Sequence, residues 1–149
     1  MTTVLFNLCN GLILVAWGIL FFFPKQKIGR VLIAFPWVPL FLSTFYLYFI
    51  VISGGLLEAD FSSLEGIVTL FKKATPASAA AGWLHYLAFD FWVGVWIIKH
   101  SNKRGISQMW ILLPLLFTFM LGPVGIMTYS LVLLIRKGFN RASEIEFPA

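Results

Sequence analysis

Apolar residues fall into four long runs along this chain of 149 residues, parted by two short basic stretches and one longer polar connection. Each run approaches the roughly 20 residues that a helix needs to cross ~30 Å of hydrocarbon. The pattern predicts membrane spans over residues 4–23, 31–52, 76–98 and 108–135. "PKQKIGR", Pro24 to Arg30, breaks the first from the second, and "KHSNKRG", Lys99 to Gly105, the third from the fourth. The connection from Ser53 to Thr75 has a pattern of its own. "SSLE" at Ser62 to Glu65 has the spacing of a capping box, and Leu64, Ile67, Val68 and Phe71 then recur at helical spacing. Glu65, Thr69, Lys72 and Lys73 fall largely on the other side. A short amphipathic helix over residues 62–73 is expected, either anchored in the interface or closing over the bundle as a lid. Thr75-Pro76 supplies an N-cap and a first-turn proline for the third span. Pro36, Pro39, Pro114 and the "LGPVG" break at Leu121 to Gly125 are compatible with spanning helices, because neighbours or waters can satisfy the freed carbonyls. The expected fold is therefore an all-α, polytopic integral membrane protein. It has four transmembrane helices and a single membrane domain over residues 1–149, ending in a polar tail over residues 136–149.

Composition removes the soluble alternative. Hydrophobic residues make up 60% of the chain and charged ones 11%, with a mean hydropathy of +0.90, too few charges to cover so much apolar surface in water. One cysteine, Cys9, leaves no internal disulfide and no multi-cysteine metal site, and neither metal nor cofactor is expected. The formal charge of +5 is spread over connections and tail, which suits membrane orientation better than nucleic-acid binding. The first residues lack the positive charge and cleavage site of a signal peptide, so a retained first helix is expected. With four alternating spans, Lys25, Lys27, Arg30, Lys99, Lys103 and Arg104 share one side, and Lys72, Lys73, Arg136, Lys137 and Arg141 the other. That near tie places the two basic linkers in the cytoplasm and both chain ends outside. The host would be a bacterial plasma or inner membrane, or a plastid-type membrane in a plant.

Polar residues inside the spans carry the candidate chemistry. Asn7 and Asn10 lie early in span one, Ser43, Thr44 and Tyr46 past the middle of span two, His85 and Tyr86 in the first half of span three, and Thr128 and Tyr129 late in span four. Up-and-down threading gathers all of them in the leaflet half nearest the long connection, and one polar pocket there would satisfy them together. On a helical wheel of span three, measured from His85, Trp96 falls near ~20°, Phe89 near ~40°, Tyr86 near ~100° and Asp90 near ~140°. The rest of the circle holds Leu84, Leu87, Ala88, Phe91, Trp92, Gly94, Val95 and Ile98, which reads as a lipid face. An aspartate at mid-membrane costs roughly +2.5 to +3.5 kcal/mol on insertion scales, and no Lys or Arg lies within any span to offset it. Asp90 is then a neutral acid, a carboxyl bonded across the bundle, or a group that grips something outside the chain. His85 is either an acid/base in the pocket or a histidine tied to a backbone carbonyl. About 7.5 Å of helix rise separates the two, so they would meet opposite sides of one ligand rather than each other. His100 reads as a solvated linker residue. Pro114, Thr118, Gly122, Gly125 and Tyr129 form a stripe suited to close helix packing.

"GWLHYLAFDFWVG" from Gly82 to Gly94 and "LGPVGIMTY" from Leu121 to Tyr129 together resemble the abscisic-acid-deficient-four family, small four-span membrane proteins. The resemblance covers nearly the whole chain; at Val95 the chain departs from the arginine that many members carry after the glycine. Plant members of that family are required to form neoxanthin from violaxanthin. The resemblance implies a lipophilic, ring-bearing partner, a carotenoid or other isoprenoid, handled among membrane lipids. It implies cofactor-free isomerisation of an epoxide to an allenic alcohol, with Asp90 as acid and His85 as base. Tyr86, Asn7, Asn10, Tyr46, Tyr129, Phe89 and Trp96 would line the binding site. Two other classes fit the same residues. One is a non-catalytic scaffold or assembly subunit, locked by Asp90 and the glycine stripe to itself as a homo-oligomer or to partner proteins. The other is a proton-coupled carrier, against which the lack of an internal repeat counts.

Overall fold

The computed structural model describes residues 1–54 and 59–145, with side chains as far as residue 136. Its helices are α1 (Thr2–Phe22), α2 (Lys27–Ala34), α3 (Trp37–Ser53), α4 (Leu64–Lys72), α5 (Pro76–Lys103), α6 (Gln108–Leu121) and α7 (Pro123–Ile145). The fold is all-α. By length and apolar composition α1 and α5 can each cross a membrane, and α2 with α3 makes a third crossing if the bent pair is one span.

Two of the four expected spans are broken, each by a local cause. Residues 31–52 are not one helix, because Pro36 forces the preceding Phe35 into extended backbone at φ −132° and ψ 148°. The helix restarts at Trp37 with a bend of 55°, leaving α2 as a separate short helix beside the basic linker. Residues 108–135 differ more. Gly122, in left-handed backbone at φ 51°, ends α6 after 14 residues, or ~21 Å, and Pro123 starts α7 at once. α7 does not continue the span. It folds back along α6, so that the Arg136 guanidinium lies 6.0 Å from the centre of the Trp110 ring and Tyr129 reaches His100 near the end of α5. In place of the one continuous fourth span expected, α6 and α7 form a helical hairpin with its tip at Gly122.

That hairpin decides which ends lie together. Gln108 at the start of α6 donates to the Phe21 carbonyl at the end of α1, and Lys99 donates to the Ala34 carbonyl at the end of α2. The two linkers therefore share one end of the bundle, and α7 returns to it. The long connection, with α4 and the start of α1, lies at the opposite end. Met1 and Ile145, the first and last described residues, thus lie at opposite ends of the bundle. Of the polar tail expected from residue 136, the part through Ile145 continues α7, and residues 146–149 lie outside the described residues.

Packing centres on α5. α3 runs antiparallel along it, α1 crosses it with Trp17 laid over Gly94, and α6 packs on a third side. The Trp17 ring meets Phe91 at 5.5 Å and Phe119 at 5.5 Å, both near edge-on, the arrangement aromatic rings prefer. The inward face of α5 corrects the helical-wheel reading. Leu84, Leu87, Ala88, Phe91, Gly94 and Ile98, expected against lipid, are buried, whereas His85, Phe89 and Trp96 are exposed. In a bilayer the environment outside is as apolar as the core, so hydropathy does not distinguish the faces. Small residues that admit a neighbour do, and Ala80, Ala81, Ala88 and Gly94 mark the packed side.

Candidate functional site

Between the end of α3, the start of α5 and α4 lies a cleft of about 990 Å³, at the top of the range of small-molecule sites. Its floor is aromatic and apolar: Tyr46 and Ile50 from α3, Gly82, Trp83 and His85 from α5. The His85 ring stands 5.5 Å from Tyr46 and 4.8 Å from Phe89, between one side chain that lines the cleft and one that faces outward. Trp83 is held by its indole N–H, which donates to Asn10 Oδ1 at 3.0 Å and ties α1 to α5 at this depth.

The roof is built locally. Thr75 caps α5 by accepting from the Ser78 amide at 3.2 Å, while Ser78 Oγ accepts from the Thr75 amide at 2.8 Å, a reciprocal pair with Pro76 at the first helical position. α4 is capped by Ser63, which accepts from the Gly66 amide at 3.0 Å; the expected cap at Ser62 lies one residue too early. Ser62 instead serves Asp60. The Asp60 carboxylate accepts from the Ser62 amide at 2.8 Å, the Ser62 hydroxyl at 2.6 Å and the Ser63 hydroxyl at 2.6 Å. Those donors, the Ser62 and Ser63 hydroxyls foremost, pull Asp60 down to about 2 from an ordinary 3.8. No residue of α4 is buried. Gly66, Thr69, Leu70 and Lys73 line the cleft, while Leu64 and Val68 are exposed and outside it. α4 thus roofs the cleft and leaves part of its apolar side exposed.

A pH prediction follows from Asp60. Its folded-state value lies below its ordinary one, so the ordering it gives the start of α4 is complete above ~3.8 and fades as pH falls toward ~2. Amide hydrogen exchange in Leu64–Lys72, corrected for intrinsic rate, should be flat from neutral pH to about 4 and rise below it. Asp60→Ala should show the raised exchange at every pH.

The residues singled out by sequence do not form one site. Tyr46 and His85 line the cleft, and Asn10 supports it through Trp83. Asn7 and Phe89 are exposed on their helices. Asp90 is 7% exposed and does not line the cleft; Oδ1 packs against the Gly122 backbone at the hairpin tip, and Oδ2 has no hydrogen-bond partner. Tyr86, one turn earlier, stands next to that carboxyl. Tyr129 lies at the far end of the bundle, where its hydroxyl meets His100 Nδ1 at 2.8 Å. Arg104 Nε donates to His100 Nε2 at 3.0 Å, which leaves Nδ1 as the donor to Tyr129. Trp96 stacks on the His100 ring at 5.0 Å and 16°. His100 is therefore a latch between α5 and α7 rather than a solvated linker residue. Two hydroxyls expected in the single pocket turn instead to carbonyls of their own helices: Thr44 donates to Leu40 and Thr128 to Val124. Sequence reading missed Trp83 as a site residue, although an indole N–H at asparagine depth on a facing span is a signal for it. Among the described residues no group of three or more His, Cys, Asp or Glu is placed to hold a metal ion.

A family model described as ABA DEFICIENT 4-like matches residues 4–129, most of the chain. No curated protein matches the chain, and no solved structure does.

Proposed function

This chain belongs to the ABA4-like family, and from that membership and the cleft beneath α4 we propose that it binds a carotenoid or another ring-bearing isoprenoid and isomerises it by proton transfer. The observation that carries the reading is the cleft. It is large, aromatic at its floor, polar along the lid, and open at one end of a helical membrane bundle. A ring end with an oxygen function fits the polar part, and the polyene would leave along apolar helix surfaces into lipid.

His85 is the group we assign to the chemistry. Asp90, the acid expected from sequence, does not line the cleft, so both proton steps fall to the imidazole. The imidazolium gives its proton to the epoxide oxygen as the ring C–O bond breaks. The neutral imidazole then takes a proton from the adjacent polyene carbon, and the electron pair left behind closes the allene. Substrate and product have one composition, and His85 returns to its starting form. Tyr46, beside it, would orient the oxygen through its hydroxyl. Expression in a carotenoid-producing host, with chromatography of retained pigment and products, tests this. Wild-type protein should retain pigment and yield an isomer, and His85→Gln should retain pigment without product. Protein purified free of pigment, or normal turnover by His85→Gln, overturns the proposal.

We also propose that the linker end faces the cytoplasm. With α7 returned to that end, only Lys72 and Lys73 of the chain's eleven Lys and Arg lie at the other, which turns a near tie into a strong positive-inside bias. A reporter fused after α7 should give the cytoplasmic signal, and one fused before α1 the opposite signal. Equal signals from both fusions would restore a continuous fourth span.

A further inference from the structure

The hairpin collects basic residues on one face. Lys25, Lys27 and Arg30 follow α1 and enter α2, Lys99, Lys103 and Arg104 end α5, and Arg136, Lys137 and Arg141 lie in the later turns of α7. Of the carboxylates, Asp60 and Glu65 stand at the opposite end with Lys72 and Lys73, Asp90 is buried in α5, and Glu144 alone follows Arg141 in the last turn of α7. Two of the cations are engaged internally, Lys99 by the Ala34 carbonyl and Arg104 by His100. Lys25, Lys27, Arg30 and Lys103 are exposed, and among the side chains described, through residue 136, no carboxylate lies at their end to pair with them.

Aromatic residues mark the depth of this face. Phe35 and Trp37 pack ring against ring at 4.5 Å where α2 meets α3, and Trp37, Trp96 and Trp110 are all partly or largely exposed near the same end. Tryptophans gather at the headgroup level of a bilayer, so these put the unpaired cations among phosphates. α2 has the composition of a helix lying at that level, with Lys27 and Arg30 beside the exposed Ile28 and Val31.

We propose that this face is a binding surface for anionic phospholipid headgroups, held by Lys25, Lys27, Arg30 and Lys103. The surrounding leaflet presents phosphates at the depth of the tryptophans, and the four side chains are long enough to reach them without leaving the bundle. An anionic headgroup between α2 and the end of α5 also bridges two elements that the protein itself joins mainly through the Lys99 bond to Ala34. This surface lies at the end of the bundle opposite the cleft, so it stands or falls separately from the proposed isomerisation.

The test places purified protein in nanodiscs of equal phosphatidylglycerol and phosphatidylcholine and measures the lipid it keeps on release by native mass spectrometry. Wild-type protein should keep phosphatidylglycerol with about fivefold or greater preference. Joint replacement Lys25→Gln, Lys27→Gln, Arg30→Gln and Lys103→Gln should remove most of that preference, whereas Lys72→Gln with Lys73→Gln should retain it. Raising salt to about 0.5 M should weaken the wild-type preference severalfold, a reading that needs no variant to fold. No preference in wild type, a preference indifferent to salt, or equal loss in both variants overturns the proposal.

Discussion

Gly125→Ala should prevent stable assembly of the α6–α7 hairpin, whereas Gly11→Ala and Gly18→Ala should leave the melting temperature unchanged or raise it. A Cβ on Gly125 would run into the Thr118 hydroxyl and would also stand 2.5 Å from the Thr118 backbone nitrogen and 2.6 Å from its Cα. A side chain can swing aside, but backbone inside a helix cannot move without breaking the turn that holds it. Overpacking in a well-filled core costs about 1–3 kcal/mol when neighbours can shift. Here they cannot, and a loss above about 3 kcal/mol is expected, a large part of a normal folding margin. Gly11 and Gly18 have nothing within 4 Å of where an alanine methyl would stand, and alanine there only improves helix propensity. A double variant, Gly125→Ala with Thr118→Ala, separates the causes. If the backbone collision dominates, removing the hydroxyl will not restore monodisperse protein after detergent extraction. Full rescue would mean that only the hydroxyl was in the way.

The same residues show what a sequence can and cannot convey about a membrane bundle. Pro114, Thr118, Gly122, Gly125 and Tyr129 form a stripe on an uninterrupted wheel, and all five are buried. The stripe promised a close helix neighbour and delivered one, but the neighbour of Thr118 is the other half of the same apolar run. A run of 28 residues is as long as one span or two half-spans, and hydropathy reports the same value for both. Only the "GPVG" break hinted at the reversal, and a proline break can bend a helix or turn it back. The cap at Thr75-Pro76 and the short helix after Ser63 were legible because capping is local chemistry, readable from adjacent residues. The inward face of α5 was not. It depends on which neighbours exist, and the polar arc from His85 to Asp90 straddles its edge, sending His85 to the cleft and Asp90 to the hairpin tip.

That division leads to the second large effect. Asp90→Leu is expected to keep or raise the melting temperature, Asp90→Asn to lower it modestly, and Asp90→Lys to abolish folded protein. The carboxyl is 7% exposed and its Oδ2 lacks a hydrogen-bond partner, so its burial is uncompensated on one side. An unsatisfied buried polar group costs about 1–3 kcal/mol, and an apolar replacement of similar shape recovers that cost. Asparagine keeps the shape but brings two N–H donors that also need acceptors, whereas lysine brings a charge to the hairpin tip with no carboxylate left to meet it. Activity separates the rest. With the reaction in the cleft, Asp90→Asn should form product at nearly the wild-type rate, while His85→Gln folds and forms none. The reverse pattern, an inert but well-folded Asp90→Asn protein and an active His85→Gln protein, would move the chemistry to the hairpin tip. Gly122 and the first turn of α7 would then have to part from Asp90 to admit a substrate.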